Sequence, residues 1–213
     1  MTTSMPTADT IRAYFDDRSE SWNEERSLYY SESIRDEVLK LGHFGADDQV
    51  LDFGAGAGFL TDALVSAGVG RVVAVDISTA MLDGIARRHG SAAVETRLAV
   101  DDRLPVGDGE VSGVVTNMVL HHLEDPLAFL REARRALAPQ GRLVITDMLR
   151  HDNLEFARAQ HDVWPGFDRL VLEDWLREAG FTDGRTGLVG EKCCGSVAAA
   201  SGGFEILYAV ATR

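Results

Sequence analysis

The run Val50-Leu51-Asp52-Phe53-Gly54-Ala55-Gly56-Ala57-Gly58 constrains this chain more than any other. An apolar stretch enters three alternating glycines, and Phe59 to Val65 then continues with helical character. That order predicts a strand, a tight turn and a helix start. Glycines let the backbone approach a ligand closely, and a helix N-terminus offers unpaired N–H groups. The spacing argues against two nucleotide cradles. A dinucleotide fingerprint, G-x-G-x-x-G/A, needs a small residue where this chain has Phe59 (counting from Gly54) or Thr61 (counting from Gly56). A P-loop needs a Gly-Lys-Ser/Thr that is absent. Asp52, at the strand's carboxyl end, suits a cationic ligand better than a pyrophosphate.

Strands and helices then alternate. Arg71 to Val75 reads as a strand ended by Asp76, and Ser78 to His89 as a helix stopped by Gly90. Strands follow at Val94 to Val100 and Val111 to Thr116. A helix starts at Asp125-Pro126, with Asp as cap and Pro in the first turn, and runs to Leu137. Gly141 to Asp147 is a fifth strand, Leu170 to Ala179 a helix capped by Gly180, and Thr182 to Gly190 and Phe204 to Thr212 two last strands. Upstream, Ile11, Tyr14, Phe15 and Arg18 fall at helical spacing, and a second helix is expected over Ser27 to Leu41, ended by Gly42. The pattern predicts an α/β fold, a doubly wound, seven-stranded, mostly parallel sheet with an N-terminal helical lid. We expect one domain over residues 1–213: a cap over 1–45, a cofactor-binding core over 46–148, and substrate-side helices with the C-terminal strands over 149–213. Asp76 lies roughly 20 residues beyond the glycine turn, where an acidic residue on a ribose diol is expected. Ser78 is free to cap the following helix, leaving Asp76 for that role.

Charge narrows the partners. With 34 acidic against 21 basic residues the net charge is −13, which repels phosphate backbones and anionic membrane surfaces. No apolar run approaches the roughly 20 residues of a membrane span, and the polar Met1 to Asp9 lacks a signal-peptide core, so a cytoplasmic location is expected. Cys193 and Cys194 are adjacent, which excludes a disulfide framework. The partner expected is a small-molecule substrate, with no nucleic acid and no membrane, for a monomer or homodimer.

The pattern Asp52-x-Gly54-x-Gly56-x-Gly58 resembles the first motif of class I S-adenosylmethionine-dependent methyltransferases. Asp76-Ile77-Ser78 resembles the second, and Asn117-Met118-Val119-Leu120-His121-His122-Leu123 the fourth with its Leu-His-His-Leu tail. Tyr14-Phe15-Asp16 with Trp22, the run from Arg134 to Asp147, and the stretch from His151 to Phe181 are similar to small-molecule members of the ubiquinone and menaquinone type. The resemblance covers about Tyr14 to Thr212. It implies S-adenosyl-L-methionine as cofactor and S-adenosyl-L-homocysteine as product. It places Asp52, Gly54, Gly56, Gly58 and Asn117 at the cofactor, Asp76 on its ribose and Ile77 against its adenine. Asp101 or its neighbour Asp102 would accept from the adenine amino group. Family members often carry Asp where this chain has Gly113. No Asn-Pro-Pro-Tyr occurs, which argues against methylation of nucleic-acid bases or protein glutamine.

Methyl transfer is an in-line displacement whose main requirement is alignment, worth on the order of 7–11 kcal/mol. A base is needed only for a protonated acceptor. His121, after the fourth strand, is the candidate catalytic base, and His122 is expected to pack inward. Tyr14, Trp22, His121, Asp147 and Trp164 are the candidate substrate-binding residues. No metal site is expected, because no further ligands stand at defined spacing from the histidines. Adjacent thiols can bind arsenic(III), but arsenite methyltransferases use dispersed cysteines, so Cys193 and Cys194 are expected to be reduced bystanders. Two other readings stay open: a catalytically silent S-adenosylmethionine-binding protein, and a nicotinamide-dependent oxidoreductase, which the glycine spacing disfavours.

Overall fold

A computed structural model describes residues 6–100, 103–194 and 202–213 of the 213-residue chain. Seven strands form one sheet: β1 (Gln49–Phe53), β2 (Arg71–Asp76), β3 (Val94–Leu98), β4 (Val111–Asn117), β5 (Leu137–Met148), β6 (Thr182–Cys193) and β7 (Phe204–Thr212). Their order is β3-β2-β1-β4-β5-β7-β6. The first five are parallel, and β7 runs antiparallel to both β5 and β6. The expected mostly parallel sheet is therefore present, with strand order reversing between β1 and β4, where α/β sheets open a crevice at their carboxyl ends.

Strand alternation sorts the core into two layers. Val50, Val72, Ala74, Val115 and Val144 face α3 (Ser33–Gly42), α4 (Phe59–Ser66) and α5 (Thr79–Arg88), meeting Ile34, Leu64 and Ile85. Leu51, Val73, Val114, Leu143 and Ile145 face the opposite way, onto Leu130 and Ala133 of α6 (Pro126–Ala136) and Leu172 and Leu176 of α8 (Arg169–Glu178). Central strands buried on both faces are what continuous Val/Leu/Ile runs specify. Caps set the helix starts. Ser78 accepts from the Met81 N–H at 3.1 Å and Asp125 from the Ala128 N–H at 2.9 Å.

Gly113 now has a reason. A Cβ there would stand 2.4 Å from the Phe44 ring, so the aromatic that the loop after α3 packs here leaves no room for the Asp expected from the resemblance. Several boundaries differ from expectation; the sixth strand, for one, runs on past Gly190 to Cys193. The second helix begins at Ser33 rather than Ser27, because Arg26 to Leu28 forms a 3-10 turn that buries Arg26. The third strand stops at Leu98. The fifth begins at Leu137, directly from α6: Leu137 pairs with Val111, and the register then shifts across the Pro-Gln-Gly segment, where Gln140 has a left-handed backbone (φ 65°), before Arg142 pairs with Gly113.

Two short helices, α1 (Ala8–Asp17) and α2 (Trp22–Glu25), lie before the sheet in chain order and over its carboxyl ends. The Ser78 hydroxyl donates to Asp16 at 2.5 Å and ties α1 to the end of β2. On the other side α7 (Leu154–Ala159) precedes α8. Among the described residues no helix is long and apolar enough to cross a membrane.

Candidate active site

A cavity of about 610 Å³ opens at the carboxyl ends of β1, β2 and β4, roofed by α1 and α2. Its floor begins with the glycine turn. Gly54 (φ 68°), Gly56 (φ 52°) and Gly58 (φ 91°) all adopt the left-handed conformation that only glycine takes without strain. The turn is fastened to β2 by its own N–H groups. Gly54 and Ala55 donate to the Val75 carbonyl at 2.8 and 3.0 Å, and Gly56 donates to Asp76 Oδ2 at 2.7 Å. A Cβ on Gly54 would collide with Val119 at 2.3 Å, whereas one on Gly56 would enter the space beneath the Trp22 indole at 3.5 Å. Gly58 does not line the cavity; it is the N-cap of α4 and packs beside Arg88.

Two buried carboxylates face this floor. Asp52 is 1% exposed and accepts from the Thr61 hydroxyl at 2.6 Å. Burial raises its pKa to about 7 against that bond. Asp76 accepts from Gly56 and, through Oδ1, from the Ser78 N–H at 2.9 Å; burial still raises its pKa. Such carboxylates become fully compensated when a cation joins them. Asn117 uses Oδ1 to accept from Thr146 at 2.8 Å, which leaves its buried Nδ2 without an acceptor. Ile77 lines the same cavity. Asp101 and Asp102 lie outside the described residues.

Sequence reasoning missed Arg26. Its guanidinium stacks 4.4 Å over the Phe59 ring and donates Nη2 to Glu32 at 3.0 Å, while buried Nε and Nη1 have no partner. Arg26 lines the cavity with Asp52 and Asn117. Two carboxylates, a guanidinium with free donors and a free amide N–H fit a ligand carrying both cationic groups and a carboxylate. S-adenosylmethionine has this composition.

A second part of the lining is built around His121, on the 3-10 turn Leu120–His122 that follows β4. Its Nδ1 lies 2.7 Å from Asp147 Oδ1, and that oxygen also accepts the Met148 N–H at 2.7 Å. Asp147 is fully buried behind His121 and does not line the cavity. Burial alone would lower the histidine's pKa, but Asp147 and Asp162 outweigh it and lift it to about 9. Asp162, from the loop after α7, places Oδ1 3.6 Å from His121 Nε2. Burial raises Asp162 to about 7. The loop is pinned to the turn, because the Val163 and Trp164 N–H groups both donate to the His121 carbonyl at 2.8 and 3.0 Å.

The remaining candidates separate. Tyr14 lines the cavity, donates its hydroxyl to Gln160 at 3.2 Å and has its pKa raised by burial. Trp22 lines it from the roof. Trp164 does not: its indole N–H donates to the Leu123 carbonyl at 2.8 Å and its ring packs edge-on against Trp175. His122, expected to point inward, lines the cavity instead, its Nδ1 3.3 Å from the His161 carbonyl. Burial and the neighbouring His121 hold its pKa well below the usual value. Cys193 and Cys194 are both free and buried, and Cys194 reaches the cavity. Asp162 went unseen in the sequence because only folding carries it to His121, which stands 41 positions earlier in the chain.

Residues 51–145 match the family model described as a methyltransferase domain. The chain is 29% identical over 157 residues to a malonyl-[acyl-carrier protein] O-methyltransferase of Hahella chejuensis, covering 72% of this chain and 56% of that protein. It is 30% identical over 165 residues to a demethylmenaquinone methyltransferase of Clavibacter sepedonicus, covering 64% and 66%. The chain thus spans about half to two thirds of the length of these two relatives. The solved structure of an SAM-dependent methyltransferase from Aquifex aeolicus superposes with a TM-score of 0.63 at 22% identity, covering 99% of both chains. The reversed sheet order, the Asp-x-Gly-x-Gly-x-Gly turn tied to Asp76 and the family match show that this chain carries a class I S-adenosylmethionine-dependent methyltransferase domain.

Proposed function

We propose that this chain transfers a methyl group from S-adenosyl-L-methionine to a small-molecule acceptor at oxygen, nitrogen or carbon, releasing S-adenosyl-L-homocysteine. The observation that carries this reading is the pairing of two unlike walls in one cavity: buried carboxylates at the glycine turn, and a carboxylate-oriented histidine in the same lining. The bound cofactor supplies an electrophilic methyl on a sulfonium. Asp52 offsets its positive charge, Asp76 accepts from its ribose hydroxyls, Arg26 and Asn117 offer donors to its carboxylate end, and Ile77 meets its adenine. Gly54 and Gly56 keep side chains out of its path. Trp22, above Gly56, and Tyr14 act as a lid that excludes water.

His121 serves the acceptor. With Nδ1 held by Asp147, Nε2 is the atom that exchanges a proton with the acceptor. The raised pKa of about 9 leaves His121 mostly protonated at neutral pH, so it accepts the acceptor's proton only in the deprotonated fraction, which grows as the pH rises toward 9. Asp147 therefore acts as a positioning residue behind the histidine. The two named relatives act on different acceptors, an acyl-carrier-bound malonyl group and demethylmenaquinone. They support methyl transfer without naming this chain's acceptor. The net charge of −13 favours a small acceptor over nucleic acid.

Calorimetric titration with S-adenosylmethionine and, separately, with nicotinamide dinucleotides tests the cofactor. Micromolar binding of the former, lost in Asp76→Ala, is the expected result. Dinucleotide binding would overturn it. A metabolite screen for formation of S-adenosylhomocysteine then separates an enzyme from a silent binder.

A further inference from the structure

Among the described residues, His121, His122 and Asp162 form a cluster whose ligand atoms all lie within 4.8 Å of one another. Asp162 is unusual within it. Its side chain is 1% exposed and neither carboxylate oxygen accepts a hydrogen bond. Oδ1 stands 3.6 Å from His121 Nε2 and 3.7 Å from His122 Nδ1. These separations are too long for hydrogen bonds. They are close to the spacing of ligands shared by one ion: donors about 2.0–2.1 Å from a tetrahedral zinc stand about 3.4 Å apart.

The surroundings fit the same purpose. Asp147, 2.7 Å from His121 Nδ1, fixes the tautomer that presents the Nε2 lone pair to Asp162. A carboxylate behind a metal-bound imidazole is the usual supporting partner. His122 Nδ1 has a long contact of 3.3 Å with the His161 carbonyl, which an ion beside Asp162 would outcompete. All three residues line the cavity that the glycine turn also lines.

We propose that His121, His122 and Asp162 form a three-ligand site for a divalent metal ion, with two imidazoles and one carboxylate best suited to Zn²⁺ and a fourth position open to the cavity. The open position would take an oxygen or nitrogen of the acceptor and favour its deprotonated form, so that with the ion bound His121 holds the metal in place of receiving the acceptor's proton itself. That use of the site rests on the methyl-transfer reading; metal binding itself does not.

The test uses the 213-residue chain, stripped with a chelator, exchanged into buffer and titrated with Zn²⁺ against a chromophoric competitor. Co²⁺ is added in parallel and followed by visible absorption. One Zn²⁺ per chain and the intense bands of four-coordinate Co²⁺ are expected. Asp162→Asn and His122→Gln should each abolish the Co²⁺ bands and weaken zinc binding by more than about 100-fold, and Asp147→Asn should weaken it about 10- to 100-fold. Cys193→Ser should leave it unchanged. No stoichiometric uptake by the unsubstituted chain, or uptake indifferent to Asp162→Asn and His122→Gln, would overturn the site. S-adenosylmethionine titration and thermal melting on the same samples report folding. Retained cofactor binding with lost zinc binding assigns the loss to the ligands. Failure of the unsubstituted chain to bind cofactor would overturn the methyl-transfer reading and leave the zinc result to be judged alone.

Discussion

The two walls of the cavity are made by different means. The cofactor wall rests on a local backbone frame, left-handed glycines whose N–H groups fasten the turn to Val75 and Asp76 within residues 49–76, and this frame carries Asp52 and Asp76 while Arg26 and Asn117 complete it. The acceptor wall is side chains carried by three separated segments, with His121 after β4, Asp147 on β5 and Asp162 after α7. A backbone cradle keeps its shape through most substitutions, because each main-chain donor survives a change of side chain. A wall of converging side chains is retuned by a single substitution. One domain can thus hold a constant cofactor while its acceptor changes.

That contrast can be broken at either wall. The largest effect belongs to His121→Ala, which should lower kcat by about 10²- to 10⁴-fold with the acceptor found by screening. Its cofactor Kd, by calorimetry, should stay unchanged; a parallel loss of cofactor affinity would erase the division between the walls. Gly54→Ala should act oppositely. Its Cβ meets Val119 at a φ of 68°, so thermal denaturation should show a loss of about 1–3 kcal/mol. Adding Val119→Ala should recover part of that loss but not the backbone strain, and full recovery would show that the left-handed turn carries no cost.

Asp52 sharpens the cofactor wall further. Its raised pKa keeps it protonated below about 7, and a cation beside it favours the ionised form, so binding expels a proton. Cofactor affinity should therefore rise about 10-fold from pH 6 to pH 8 and level off above, a slope that Asp52→Asn flattens. Affinity that falls with rising pH would contradict the assignment. The smallest change is expected from Trp164→Phe. Losing the indole bond to Leu123 should cost about 1 kcal/mol of stability with KM untouched. An altered KM would return Trp164 to the acceptor wall.

The same division explains what could be read before folding. The glycine turn, Asp52, Asp76 and the sheet were legible because their signals are local: a strand, a turn and a helix follow one another, and apolar runs of strand length alternate with helical spacing. His121 was legible for its place after the fourth strand, although its orientation by Asp147 was not, since that pair spans 26 positions and depends on β4 lying beside β5. Asp147 was expected to touch substrate and instead supports the residue in front of it. Arg26 and Asp162 gave no local sign. A charged residue in a polar segment reads as solvated until tertiary packing buries it, Arg26 over Phe59 and Asp162 beneath the histidines. Gly113 read only as a missing carboxylate, because the Phe44 ring that excludes a side chain there comes from a distant loop.

The antiparallel β7, lying between β5 and β6, has a consequence for how the molecule is made. Its residues, Phe204–Thr212, leave the ribosome after every other strand, yet they pair with β5 along Arg142 to Met148. Until they emerge, a fully formed β5 presents an open hydrogen-bonding edge of Leu, Val and Ile, the kind of surface that recruits other chains. The β1-α4-β2 unit can close over its glycine turn long before that moment. A nascent chain that meets cofactor early gains a ligand on its finished half while the other half still waits for its partner strand. Cofactor supply during synthesis should therefore govern the yield of folded protein more strongly than its effect on the completed fold would suggest.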